Sequence, residues 1–156
     1  MKIEVIGKRG LSGWLEIAVA ALMAVGVAML PAMWWVLQWM MGAAGITLNN
    51  HYYVGMVVLM EYSDALALAV LWSGRKILRS INRNRPFSGG NARRIRVIAV
   101  CCGLLAAGYV VYGTLRLSYF AFVMALAFLL MCLVLIIGAE LFRAAVEFKE
   151  ENDLTI

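Results

Sequence analysis

The chain predicts an all-α fold, a polytopic membrane four-helix bundle with both termini cytoplasmic. Three observations predict it. Of the 156 residues, 64% are hydrophobic and 15% are charged. A soluble domain carries about 45–50% apolar and about 25% charged residues, so there is too little polar surface here to cover a water-soluble globule. Four apolar stretches reach the ~20 residues that a helix needs to cross a bilayer. Basic residues gather in alternate connections, the pattern that orients membrane helices.

The length suits a single membrane domain, residues 1–156. Its spans are about 15–41, 53–72, 97–115 and 118–142, with a cytoplasmic basic loop at 75–96 and a cytoplasmic tail at 143–156. The first span has one charge, Glu16, at its cytoplasmic edge. Lys8 and Arg9 would suit the start of a signal peptide, and Gly42-Ala43-Ala44 offers small residues for cleavage. The apolar stretch, however, far exceeds the roughly 7–15 residues of a signal core, so a retained span is expected. The second span contains Glu61 and Asp64, and the third has no charge. Apolarity on all sides of each helix, rather than along one stripe, is the membrane signature.

Orientation follows from the cations. The connection after the second span holds Arg75, Lys76, Arg79, Arg83, Arg85, Arg93, Arg94 and Arg96 and has no acid. The amino terminus adds Lys2, Lys8 and Arg9. On the other side, residues 42–52 have only His51, and the last turn has only Arg116. The positive-inside rule therefore puts the termini and the basic loop in the cytoplasm. Trp34, Trp35, Trp39, Tyr52 and Tyr53 cluster at the opposite interface, where amphipathic rings prefer to sit.

Small residues recur every four positions: Ala20, Ala24, Ala28 and Ala32, then Ala65, Ala69 and Ser73, then Ala99, Gly103 and Ala107. Such stripes let helix backbones approach closely. Packing within the chain is the expected use, with a homo-oligomer interface as the competing one.

Glu61 and Asp64 are three residues apart and so share a helix face. Asp64 lies near the middle of its span, where a carboxyl group is costly and suggests function by default. One reading is a proton or cation relay, or a ligand-binding carboxylate. The preferred reading is a structural polar lock, with Asp64 protonated or hydrogen-bonded to Tyr109, Tyr112 or a backbone carbonyl, and with Arg116 reaching inward to Glu61. Glu16 and Glu140, near the cytoplasmic ends of their spans, are expected to pair with arginines of the basic loop or to snorkel to the interface.

No chemistry of catalysis is legible. There is no phosphate-binding glycine loop, nucleophile elbow or metal-ligand spacing. Cys101, Cys102 and Cys132 are an odd number within apolar runs, and His51 stands alone. These residues support neither a disulfide framework nor a metal site. No catalytic residue, metal or cofactor is expected. The net charge of +5 could suit nucleic acid, but no DNA-reading module is present and no direct nucleic-acid contact is expected.

In the basic loop, Pro86 and Gly89-Gly90 are expected to break the helix, and Ser88 or Asn91 to cap the next one. The loop's simplest role is to orient the chain and touch anionic headgroups. The tail begins as a helix continuing the fourth span, turns acidic and closes on Leu154-Thr155-Ile156. It suits docking on the chain's own basic loop, or capture by a partner.

Two segments carry a family resemblance. Ile81-Asn82-Arg83-Asn84-Arg85-Pro86-Phe87-Ser88, followed by Asn91-Ala92-Arg93-Arg94-Ile95-Arg96, resembles a signature of the bacterial family called domain of unknown function 2975. So does the ending Ala139-Glu140-Leu141-Phe142-Arg143 with Glu147-Phe148-Lys149-Glu150-Glu151-Asn152-Asp153-Leu154-Thr155-Ile156, which is the more specific part. The resemblance covers nearly the whole chain. Gly89-Gly90 stands where relatives often have polar or charged residues, and Ala144-Ala145 where a glycine is common.

The resemblance implies a four-helix, multi-pass protein of the bacterial inner membrane without established enzymatic activity. Genes of the family often neighbour a small Cro/C1-type helix-turn-helix regulator, which implies a partner by analogy. The expected function is therefore a membrane-embedded partner that binds or sequesters such a regulator. Arg83, Arg85, Phe87, Arg93 and Arg94 of the loop, with Glu150, Glu151, Asp153, Leu154 and Ile156 of the tail, would form the contact surface. The alternative is a small transporter, channel or immunity-type membrane protein using Glu61 and Asp64. A structural subunit of a larger complex is a third class.

Overall fold

The computed structural model describes residues 11–47, 49–82 and 89–153, with the backbone alone at 11, 12, 149, 150, 152 and 153. Four α-helices follow one another: α1 (Leu11–Ala43), α2 (Asn50–Asn82), α3 (Gly89–Arg116) and α4 (Tyr119–Asp153). Each is long and apolar enough to cross a membrane. The shortest, α3, has 28 residues and spans about 42 Å, against a hydrocarbon core of about 30 Å. The helices overrun their apolar segments, so most of the basic stretch 75–96 is helical, belonging to the end of α2 and the start of α3. Gly89 and Gly90 open α3 rather than lying outside it, and Asn91 sits inside that helix.

Two helices end in the same way. Gly45 takes a left-handed φ of 66°, and Ile46 N–H donates to Met41 O at 3.0 Å. This is a Schellman closure, in which glycine avoids the Cβ clash of the left-handed region. After α3, Leu117 adopts φ 49°, and Ser118 N–H donates to Gly113 O at 3.2 Å. The second closure uses a residue that tolerates it less well, which fits the short connection to α4.

The helices pack in chain order, α1 on α2, α2 on α3 and α3 on α4, while α1 and α4 do not meet. The arrangement is an open row rather than a closed bundle. Lipid tails are as apolar as the side chains they would replace, so nothing forces the row to close. Residues of α4 at three- and four-residue steps, including Ala121, Ala125, Ala139 and Val146, are buried. Since α3 is its only neighbour, these must face α3. Much of the rest of α4, including Leu126, Leu130, Val134 and Ile137, is exposed. So broad an apolar surface is rare in water and ordinary in a bilayer.

The small-residue stripe on α1 is only in part its packing face. Ala24 and Ala28 are exposed and Ala20 and Ala32 half-buried, while Met23, Gly26, Leu30 and Met33 are half-buried and Leu37 is buried. The Cβ position of Gly26 would lie 2.8 Å from Leu68 Cδ2, so α2 approaches α1 at the glycine. At the far end of this pair Leu37, Tyr53 and Val57 form a buried cluster. The Tyr53 hydroxyl donates to Trp34 O at 2.6 Å, and the two rings meet edge to face. Between α2 and α3, Tyr62 lies over Gly108, where a Cβ would fall 2.4 Å from the ring, and donates to Leu104 O at 2.7 Å. Only glycine allows this approach.

Candidate functional site: the basic end and the intramembrane acids

The start of α1, the end of α2, the start of α3 and the end of α4 come together at one end of the row. Arg79 Nε lies 3.1 Å from Glu16 Oε1, and Asn82 Nδ2 donates to Glu16 Oε2 at 3.1 Å, clasping α1 to α2. Arg94 Nη1 donates to Lys76 O at 3.2 Å and to Asn91 Oδ1 at 2.9 Å, bridging α2 and α3. Asn91 is 1% exposed, so its amide is an interior tie rather than a helix cap. Arg96 pairs with Glu140 across α3 and α4, and Arg143 pairs with Glu147 one turn on at 3.0 Å. Glu16 and Glu140 thus meet arginines of the basic stretch, as expected. These pairs are largely exposed, and each is worth about 0–1 kcal/mol. Their role is to set which helix ends are neighbours.

A groove of about 660 Å³ opens between α3 and α4 at this end. Arg93, Arg96, Arg143 and Glu147 rim it, and Val97, Val100 and Val146 line its apolar part. Sequence reasoning missed the groove. The signal was present in α3, where Gly89, Ala92, Arg93, Arg96, Val97 and Val100 recur at three- and four-residue steps along one face.

Of the expected contact residues, Arg93, Arg94 and Glu151 are described. Arg93 and Glu151 are exposed, and Arg94 is half-buried by its bridge to α2. Arg83, Arg85, Phe87, Leu154 and Ile156, together with the proposed cap Ser88, lie outside the described residues, as do the side chains of Glu150 and Asp153.

The intramembrane polar residues do not form one cluster. Arg116 Nη2 donates to His51 O at 2.8 Å, and its guanidinium lies 4.5 Å from the Tyr52 ring centre. A Cβ at Gly55 would sit 2.9 Å from the same nitrogen, so the glycine leaves room for the arginine. Glu61 lies six residues further along α2, about 9 Å by the helical rise. The expected Arg116–Glu61 meeting therefore does not occur. Arg116 pins the α3 end to the start of α2.

Glu61 is exposed, while Asp64 turns towards α1, its Oδ1 3.3 Å from the Cβ position of Gly26. Asp64 Oδ2 is buried and has no hydrogen-bond partner among the described residues. The Tyr109 hydroxyl is instead paired with Ser63 Oγ at 3.4 Å, and Tyr112 lines a separate groove between α2 and α3. The hydrogen bonds expected to make Asp64 a lock are not those that form among the described residues.

A family profile described as "Protein of unknown function (DUF2975)" matches residues 17–156. The chain belongs to this family. The match omits the first six residues of α1 and takes in the rest of the four helices with both charged segments. Comparison with curated proteins and with solved structures gave no match.

Proposed function

We propose that this member of the DUF2975 family is a multi-pass protein of the bacterial inner membrane whose basic end faces the cytoplasm and holds a small Cro/C1-type helix-turn-helix regulator. One observation carries the reading. Most of the charged residues gather where α2 ends, α3 begins and α4 overruns its apolar segment to Asp153. The overrun carries the acidic tail past the apolar segment at the same end as the arginine-rich start of α3, which supports a charged platform outside the hydrocarbon. A regulator's DNA-binding face is basic, so the acids Glu150, Glu151 and Asp153 would compete with phosphate for it. Leu154 and Ile156 would add apolar contacts. Orientation is supported by the clustering of arginines at this end. The role is one of binding, without catalysis.

The test is capture of the purified regulator by the full-length protein and by a chain lacking residues 153–156, at low and raised salt. Loss of most of the recovery on truncation, with the four helices still folded, is the expected result. Equal recovery by both forms overturns the proposal.

A second reading has its own observation. The unpartnered Asp64 oxygen beside Gly26 could take a proton or cation in a small transporter or channel. Loss of a proton- or cation-driven flux in Asp64→Asn alone would put that reading first.

A further inference from the structure

We infer that the groove between α3 and α4 at the basic end is a binding site for one anionic phospholipid. The inference stands apart from regulator docking, although Arg93 serves both. Three properties of the groove identify the occupant. Its polarity is graded along the helix axis. Val100 and Val97 line the deeper part, and Arg96 and then Arg93 follow towards the start of α3. From Val100 to Arg93 is about 10 Å of helical rise, a step from acyl chain to headgroup. Arg143 lines the groove from α4 with Glu147 beside it, so three arginines border the part where a phosphodiester would lie. Guanidinium groups match phosphate oxygens in forked pairs.

The second property is size. At about 660 Å³ the groove lies within the ~300–1,000 Å³ of small-molecule sites, enough for a headgroup and the first methylenes of its chains. The third is charge. Arg96 is paired with Glu140 and Arg143 with Glu147, whereas Arg93 forms no ion pair with a described residue. The rim therefore keeps a cation to offer. Gly89 and Ala92 also line the groove. Gly89 brings to it an N–H of the first turn of α3, which has no acceptor within the helix. Basic pockets between membrane helices suit anionic headgroups in general. Here the apolar wall selects a lipid over a soluble phosphate or an acidic peptide, because the exposed Val97 and Val100 give its acyl chains an apolar surface that neither of the others can use.

The experiment is native mass spectrometry of the full-length protein, released from micelles holding phosphatidylglycerol and phosphatidylcholine of matched chains in equal amounts. Retained adducts should be enriched in phosphatidylglycerol and should survive added inorganic phosphate. Arg93→Gln should lower that enrichment about fivefold, the equivalent of one basic charge at an anionic surface. Lys76→Gln removes a charge at the same end but outside the groove and should leave the enrichment unchanged. Equal retention of the two lipids overturns the proposal. So does an equal loss in Lys76→Gln, which would mean general attraction rather than a site. Displacement of the adducts by inorganic phosphate, or by a soluble acidic peptide, also overturns it. If Arg93→Gln loses helicity, Val100→Trp decides instead. Val100 is 57% exposed, so the indole should fill the groove without changing charge and should abolish the enrichment.

Discussion

On α3 and α4 most buried positions are small, Ala99 and Ala106 on one helix and Ala121, Ala125 and Ala139 on the other, with Leu105 and Val146 the larger exceptions. Between α1 and α2 they are large, Leu37, Tyr53 and Val57, and they lie at one end only. The first pair is close along its length, with Cys132 Sγ 3.4 Å from the Cβ position of Gly103 and Phe122 against Gly113. The second pair is fastened at its ends, by Tyr53 on Trp34 and by Arg79 on Glu16. Between them, Asp64 faces Gly26, and its buried oxygen has no hydrogen-bond partner among the described residues. In a bilayer, where helices gain nothing by hiding apolar surface from lipid, backbone proximity and hydrogen bonds are the available adhesives. One pair relies on the former and the other mostly on the latter.

The sharpest test of this contrast is to add volume. Ala99 is fully buried, so Ala99→Leu should force α3 from its neighbours at a cost of about 1–3 kcal/mol. The loss should appear as a lower thermal midpoint in detergent. Gly26→Ala should cost less than this. The new Cβ meets the end of the flexible Leu68 side chain and an aspartate oxygen, not backbone. If Gly26→Ala proved as damaging as Ala99→Leu, the two pairs would not differ in the way described.

Much of this was legible in the sequence, and the remainder was hidden for physical reasons. Four spans, the family and the pairing of Glu16 and Glu140 with loop arginines follow from apolar length, motif and charge. The packing face of α1 does not. A helix apolar all round presents no amphipathic stripe, and the alternatives 23-26-30-33-37 and 20-24-28-32 differ only in the partner each would meet. Charge seeks charge, so the sequence pairs Arg116 with an acid. In the fold it meets the His51 carbonyl and the Tyr52 ring, and backbone acceptors of that kind are offered by every sequence everywhere. Asn91 is a cap by residue type, yet Arg94 draws it into the α2–α3 contact.

The second prediction addresses the middle of the α1–α2 pair. Since Asp64 Oδ2 is buried without a donor among the described residues, Asp64→Leu removes a polar group that none of them satisfies. It should raise stability by up to about 1 kcal/mol. Asp64→Asn should change it little. A lower thermal midpoint in Asp64→Leu would show that the carboxyl holds α1 to α2 after all, through a partner that forms in the bilayer.

The smallest expected effect concerns the face of α1 that the row leaves open. Ala24 and Ala28 are exposed, on the only helix besides α4 that has a single neighbour. If lipid alone covers them, Ala28→Leu lies away from every packed contact and should shift stability by no more than about 0.5 kcal/mol. The oligomeric state by size-exclusion chromatography with light scattering should not change. If α1 instead meets a second copy through its alanines, the leucine would hold the backbones apart and a dimer of the native chain would become a monomer. The measurement separates the two because adding methylenes to a lipid-facing position meets only fluid chains, whereas a close helix contact cannot accommodate them. An unchanged mass for native and Ala28→Leu protein leaves the open row as the assembly of this chain in the membrane, with Ala24 and Ala28 serving no second helix.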